Sequence, residues 1–290
     1  MAQIVWLNGK ISPLEEAVTS VADHAHLYGD GLFEGIRIYN RRIFKLDEHL
    51  DRLYTGIRFL GIEMDIPQDT LKQIILDVCR KAEQENGYIR LNVTRGTGLG
   101  LDPAHINRKP NVMVMVSKLA LYPPEAYETG LKAILCSTRV IPAQCLDPRL
   151  KTIGRYVANI QAKMEANRQG AGEGLMLNTE GYVAEATGDN LFLVKDGVLR
   201  TPHTSCGILG GITRATVIQL AREEHIPVQE EFLTMFDVFD ADEAFLTGTA
   251  AEVIPLVAVD DRKIGCGKPG EMTKKLMSLF REHTETGEPF

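Results

Sequence analysis

Residues 147–166 read DPRLKTIGRYVANIQAKMEA: a Pro-containing loop closes at Lys151, and an apolar pattern of helical spacing starts immediately after it. Tyr156 follows five residues on, which predicts a phenol one helical turn past an amine. Working outward, Glu185 stands in GYVAEATGDNLF (181–192), then come LGGITRATVIQL (209–220) and LTGTAAEVIP (246–255). Each part has an ordinary reading. Most lysines are solvated, and Lys163 in the polar run QAKMEANRQ, which reads as a wet helix face, competes for any special role. Tyr156 alone reads as a half-buried core tyrosine, and Glu185 as an edge-strand carboxylate facing water.

The chemistry of the set is more specific than its parts. A lysine that attacks a carbonyl must be partly dehydrated, or flanked by positive charge, so that a neutral amine exists near pH 7. A carboxylate inside a sheet is costly unless paired, and a protonated pyridine nitrogen would satisfy it. The Gly210-Gly211 turn ahead of a helix exposes backbone N–H groups to an anion, with the Thr213 hydroxyl beside them. The turn at Gly248-Thr249 is a second such cup. An amine, a phenol, a carboxylate and two phosphate-sized loops are the inventory that holds pyridoxal phosphate as a Schiff base.

The order of further segments extends this. LNGK (7–10), HLYGDGLFEGIRIY (26–39), EHLDRL (48–53), GYIRL (87–91) and GLGLDP (98–103) precede the lysine stretch. GYVAEATGDNLF, GITR and GTAAEVIP follow it. From about residue 3 to 280 the chain resembles the fold-type IV pyridoxal-phosphate enzymes, and most closely the branched-chain-amino-acid aminotransferases. The resemblance implies an α+β, two-domain protein: a small α/β sandwich domain and a larger domain with a barrel-like β core. It implies Lys151 as the Schiff-base and proton-shuttling lysine, Glu185 on the pyridine nitrogen and Tyr156 on O3'. It assigns the phosphate to Arg52, Ile212, Thr213 and Thr249. Arg52 also has a plainer reading as an i,i+4 partner of Glu48 on its own helix.

For the substrate, the resemblance places the α-carboxylate against Tyr88 and the Thr249–Ala250 backbone, and the distal carboxylate of glutamate against Arg90, Tyr28 and Tyr122, with Phe33 lining the apolar part. The alternation in YIRLNVT independently predicts a strand with Tyr88, Arg90 and Asn92 on one face, which taken alone reads as a solvated sheet face. The expected reaction moves an amino group between Leu, Ile or Val and 2-oxoglutarate, in ping-pong through pyridoxamine phosphate. D-amino-acid or (R)-amine transamination, aminodeoxychorismate lysis and non-catalytic cofactor binding remain the alternatives. The arginine of the D-amino-acid branch, two positions before a histidine, is replaced in VTRGTGLGLDPAHINR (93–108) by Pro103 ahead of His105.

Composition agrees with an ordinary globular chain: 290 residues, 44% hydrophobic and 24% charged. A formal charge of −7 argues against nucleic acid or an anionic membrane as partner, and the resemblance implies amino acids and 2-oxo acids instead. Five cysteines (79, 136, 145, 206, 266) without CxxC spacing read as reduced thiols of a cytoplasmic protein. The opening MAQIVWLNGK lacks the pattern of a leader, and no run is long and apolar enough to span a bilayer. His24, His26, His49 and His105 lack metal-ligand spacing and are expected to be structural or solvated. Gly96, Gly98 and Gly100 sit before Asp102-Pro103, where no helix opens, so a substrate-covering loop is expected rather than a dinucleotide site. Periodicity predicts strands at 3–7, 88–94 and 111–118, a strand pair within IRIYNRRIFKL, helices marked by Leu50–Leu60 and Leu71–Cys79, and later helices near 153–168, 212–225 and 270–284. The expected domains are 1–120, a linker and active-site loop at 121–150, and a cofactor-binding domain at 151–290; a homodimer or larger homo-oligomer follows from the resemblance.

Overall fold

The computed structural model describes residues 3–119 and 121–290. They divide into two compact units. The first holds the residues up to Leu119 together with Leu150–Arg155 and Thr284–Phe290, and the second holds 121–149 and Tyr156–His283. The boundaries differ from the expected ones at Lys151, which lies in the first unit.

In the first unit the order is β1 (Ile4–Leu7), β2 (Lys10–Pro13), α1 (His24–Tyr28), β3 (Gly31–Tyr39), β4 (Arg42–Ile43), α2 (Leu46–Leu60), α3 (Gln68–Ala82), β5 (Gly87–Thr94) and β6 (Val112–Ser117). The chain's last strand, Glu288–Pro289, pairs with β4, and the sheet continues through β3, β5, β6, β1 and β2. The turn expected within IRIYNRRIFKL is made by Asn40 and Arg41, both at positive φ (47° and 60°), the geometry of a tight hairpin. In α2 the buried residues Leu46, His49, Leu50, Leu53, Gly56 and Ile57 recur at helical spacing, so one face is given to the sheet. Leu71, Ile75, Val78, Cys79 and Ala82 do the same for α3. One apolar core therefore fills the space between these helices and one face of the sheet.

The other face of the same sheet is set by register. Phe33 opposes Asn92, Gly35 opposes Arg90 and Arg37 opposes Tyr88, so these residues stand together on the face turned away from the helices. Burial alternates along β5 as the sequence predicts, with Tyr88, Arg90 and Asn92 half-buried between buried neighbours.

The segment after Lys151 is not helical. Phe33 N–H donates to Lys151 O, Ile153 N–H to Gly31 O and Gly154 N–H to Gly29 O, and Leu32 bridges Thr152. Residues 151–154 therefore lie along β3 as an added strand-like edge. The apolar pattern that reads as a helix from 153 loses to these backbone partners, and α5 begins only at Tyr156.

The second unit contains α4 (Pro124–Thr129), β7 (Leu131–Leu135), α5 (Tyr156–Arg168), β8 (Glu173–Leu177), β9 (Val183–Ala186), β10 (Asn190–Lys195), β11 (Val198–Pro202), α6 (Ile212–Glu223), β12 (Val228–Glu231), α7 (Met235–Asp240), β13 (Glu243–Gly248), β14 (Glu252–Val259), β15 (Arg262–Lys263) and α8 (Glu271–His283). Strands pair in the order β10, β13, β14, β7, β8, β9, and β9 returns to β10, closing a six-stranded barrel. The α+β class and the barrel-like core are as expected. The DG turn after NLFLVK forms with Asp196 and Gly197 at positive φ. Leu191, Leu193, Ala244, Leu246, Ile254 and Leu256 belong to one core on one strand face. The opposite face carries a transverse row: Glu185 opposes Asn190, which opposes Thr247.

Candidate active site

In the first unit, Lys151 Nζ lies 4.7 Å from the centroid of the Phe33 ring, and the Arg90 guanidinium carbon lies 3.6 Å from it. Arg90 Nε donates to Asn92 Oδ1 at 2.9 Å, which fixes the guanidinium along the strand. A Cβ at Gly35 would lie 1.9 Å from the Tyr88 hydroxyl, so the glycine leaves the space in which that phenol rests. The structure thus brings together Lys151, Phe33, Arg90, Asn92 and Tyr88. In the same unit the Tyr28 hydroxyl accepts from Gly100 N–H at 3.0 Å, and its ring meets that of His24 edge-on.

Arg52 reaches off its own helix to β3, while Glu48 pairs with Lys45 at 3.0 Å. Its Nε donates to Glu34 Oε1 at 2.7 Å and its Nη2 to Glu34 Oε2 at 2.8 Å, a two-point grip. His49 Nδ1 meets the same Oε2 at 2.7 Å. Glu34 and His49 are both 1% exposed in their side chains. Burial opposes the Glu34 charge, but the charges and hydrogen bonds of Arg52 and His49 outweigh it, and its carboxyl stays far below the usual range. Burial pulls His49 down against the opposing pull of Glu34, and the charges of Arg52 and Lys151 push it the same way. Lys151 therefore lies within electrostatic reach of this cluster. Sequence reasoning misses Glu34. Its signal is a carboxylate inside the otherwise apolar run GLFEGI, where burial demands a partner.

In the second unit, Glu185 is buried, and its Oε2 accepts from Leu209 N–H at 2.8 Å and from Asn190 Nδ2 at 3.4 Å. Asn190 Nδ2 also donates to Leu209 O, tying the row to the loop that leads into α6. Gly211 caps α6 without a side-chain bond, so the amides of Ile212 and Thr213 have no acceptor within the helix. A Cβ at Gly211 would collide with Asn190 Oδ1 at 2.0 Å, which explains the second glycine. Thr249 and Ala250 occupy the turn between β13 and β14, half-buried, and Tyr156 is half-buried at the start of α5.

Tyr122 is half-buried, and its hydroxyl donates to Glu173 Oε2 at 3.0 Å; burial, with Asp189 and Glu173 nearby, raises its pKa strongly. Glu173 Oε1 also takes the Thr187 hydroxyl and the Gly174 amide. The expected role of Tyr122 at a substrate carboxylate thus meets a hydroxyl already engaged by a protein carboxylate. Lys163, expected on a wet face, donates to Gly172 O at 2.5 Å and pairs with Glu173 at 3.6 Å, because the start of β8 supplies acceptors there.

The second unit's residues fit a phosphorylated pyridine cofactor. The Thr247 hydroxyl, on a residue 1% exposed, has no hydrogen-bond partner among the described residues and stands in the row with Asn190 and Glu185. A fixed buried carboxylate, an orphaned hydroxyl and open helix-terminal amides are a donor set for such a group. Among the described residues no cluster of three or more His, Cys, Asp or Glu could hold a metal ion, and no helix is long and apolar enough to cross a membrane.

Comparison with known proteins agrees with this chemistry. Branched-chain-amino-acid aminotransferase from Pseudomonas aeruginosa is 37% identical over 284 residues, 96% of this chain and 91% of that one. The crystal structure of the Escherichia coli branched-chain amino acid aminotransferase superposes with a TM-score of 0.92 at 33% identity, covering 99% of this chain and 97% of that one. The branched-chain amino acid aminotransferase from Thermobaculum terrenum, solved in its PLP-form, gives 0.87 at 31% identity, with coverage of 98% and 94%. Residues 31–259 match the family described as amino-transferase class IV, a span that takes in Glu34, Arg52, Arg90, Lys151, Glu185 and the α6 terminus; with this fold-type IV architecture, the chain belongs to that family of transaminases.

Proposed function

We propose that this protein transfers the amino group between the branched-chain L-amino acids Leu, Ile and Val and 2-oxoglutarate, alternating between pyridoxal and pyridoxamine phosphate. The cofactor, when bound, supplies an aldehyde and an electron-withdrawing ring. Lys151 would hold it covalently and would take and return the proton at the substrate Cα. Glu185, its carboxylate oriented by the Leu209 amide, would keep the ring nitrogen protonated, and Tyr156 would pair with O3'. Arg52, Ile212, Thr213 and Thr249 would hold the phosphate.

The observation that carries the substrate reading is Arg90 lying at 3.6 Å over the Phe33 ring. A guanidinium covered by an aromatic face borders an apolar surface suited to leucine and still offers N–H groups to a carboxylate. Tyr88 and the Thr249–Ala250 backbone take the α-carboxylate, and Tyr28 and Tyr122 join Arg90 at the distal one. The protein acts in the cytoplasm as a homodimer or larger homo-oligomer. Exposed Val157, Ile160 and Met164, at i, i+3 and i+7 on α5, support an apolar contact in such an assembly.

The test is a half-reaction followed through the cofactor's absorbance, with L-glutamate, L-leucine and D-alanine added separately. Conversion by both L-substrates and not by D-alanine is expected. Conversion by D-alanine alone would move the protein to D-amino-acid transamination. Gly35→Ala probes the α-carboxylate side: the new methyl must displace the flexible end of Tyr88, so KM for both amino acids should rise about tenfold or more. The thermal transition should shift little, because the atoms nearest the new methyl belong to the outer end of the Tyr88 ring rather than to backbone.

A further inference from the structure

The first unit holds a second buried titratable cluster. His24 is 2% exposed, and both of its ring nitrogens face acceptors: Nδ1 lies 3.0 Å from Asp30 Oδ2, and Nε2 lies 3.1 Å from the Gly100 carbonyl oxygen. A neutral imidazole has one N–H and would turn a lone pair on one of these oxygens. Asp30 cannot supply the missing proton, because Arg95 grips it with Nε at 2.5 Å and Nη2 at 3.1 Å and is itself tied to the carbonyls of Leu60 and Gly61. Burial works against the Asp30 charge, but Arg95 and His24 overcome it and hold the carboxyl below its ordinary range. Asp23, the other carboxylate beside the ring, is turned elsewhere. Its Oδ1 caps Ala25 N–H and its Oδ2 takes Thr94 Oγ1 and Asn111 Nδ2.

Gly100 is held from two sides. Its carbonyl meets His24, and its amide donates to the Tyr28 hydroxyl, whose ring packs edge-on against His24 at 4.9 Å. Since that hydroxyl is an acceptor here, its own proton is directed to another group. Gly96, Gly98 and Gly100 all have positive φ, so this loop depends on such tethers for its shape.

We propose that His24 is a positioning residue: a ring carrying both protons that clamps the glycine-rich loop through Gly100 and thereby orients the Tyr28 hydroxyl to donate to the distal carboxylate of the acidic substrate. This rests on the proposed glutamate half-reaction for its functional part. Removing the Nε2–H bond to Gly100 frees the loop, weakening recognition of glutamate and leaving that of leucine.

Two experiments test it. In the wild-type holoenzyme, nitrogen-15 NMR of the imidazoles should show His24 with a proton on each ring nitrogen, and Gly100 amide exchange should be faster in His24→Phe than in the wild type. A single neutral tautomer with a protected Gly100 amide would overturn the clamp, whatever the substrates prove to be. In His24→Phe, which keeps ring volume against Tyr28 and removes both donors, KM for glutamate should rise roughly 3- to 10-fold. KM for leucine should move less than about twofold. Equal rises for both substrates would mean a merely structural histidine. Absence of any glutamate turnover in the wild type would sink the proposed function and leave the NMR result to decide the clamp.

Discussion

Replacement of Lys151 by alanine is expected to abolish turnover. Proton transfer by a positioned amine alone is worth about 10²- to 10⁴-fold, and the covalent hold on the cofactor is lost as well. The folded state should survive, because the contact that ties this residue into the first unit's sheet is its backbone carbonyl, which accepts from the Phe33 amide and is kept by alanine. Borohydride treatment of wild-type protein with cofactor should give a stable adduct at Lys151, found by peptide mapping, and none in Lys151→Ala. A reducible adduct at Lys163 or elsewhere in the variant would end the assignment.

The second large effect is expected at Glu34. Glu34→Ala leaves the Arg52 guanidinium without the carboxylate that grips it at two points, in a setting where that carboxylate is 1% exposed. Removing one partner of a buried pair costs roughly 3–5 kcal/mol, and removing both costs less than the sum of the two single losses. Denaturant unfolding of Glu34→Ala, Arg52→Ala and the double variant measures this directly, and additive losses would contradict a coupled pair. The cluster also sets an acid response. His49 has a folded pKa below its ordinary value of 6.5, and Glu34 below its ordinary value of 4.5. Both therefore favour the folded state above those unfolded values. The His49 contribution declines as pH falls below 6.5, and the Glu34 contribution declines below 4.5 and is lost through its depressed folded pKa. Glu34→Gln should flatten the lower of these two declines in a pH series of unfolding midpoints.

Much of the secondary structure is legible in the sequence because its period is short-range. Leu50, Leu53 and Ile57 mark α2, and the alternation around Arg90 marks β5 and its face. Closure of the barrel is not legible, since it depends on the pairing of Glu185 with Asn190 across a turn and on β7 beside β14, more than a hundred residues apart. Arg52 reads along its own helix, where Glu48 is the carboxylate at i,i+4 spacing; the partner that grips it is 18 residues away on β3. The difference at 151–155 has another cause. The apolar spacing suits a helix, but the edge of β3 offers backbone partners that no local pattern announces. On α5 the apolar stripe of Val157, Ile160 and Met164 faces outward, so helical apolar spacing there does not mark the core of this unit.

The first unit's composition from three separate stretches bears on how the protein is made. Its sheet is finished by Glu288–Pro289 against β4, and its edge by residues 150–155 along β3. No contiguous fragment contains this unit, so cutting the gene near residue 120 would yield an incomplete sheet with open edges. During synthesis, at roughly 5–20 residues per second, the earliest-made strands must wait for the last-made ones. That sheet closes only once residues 288–289 have been made, and the backbone of Lys151 is another of the pieces it waits for.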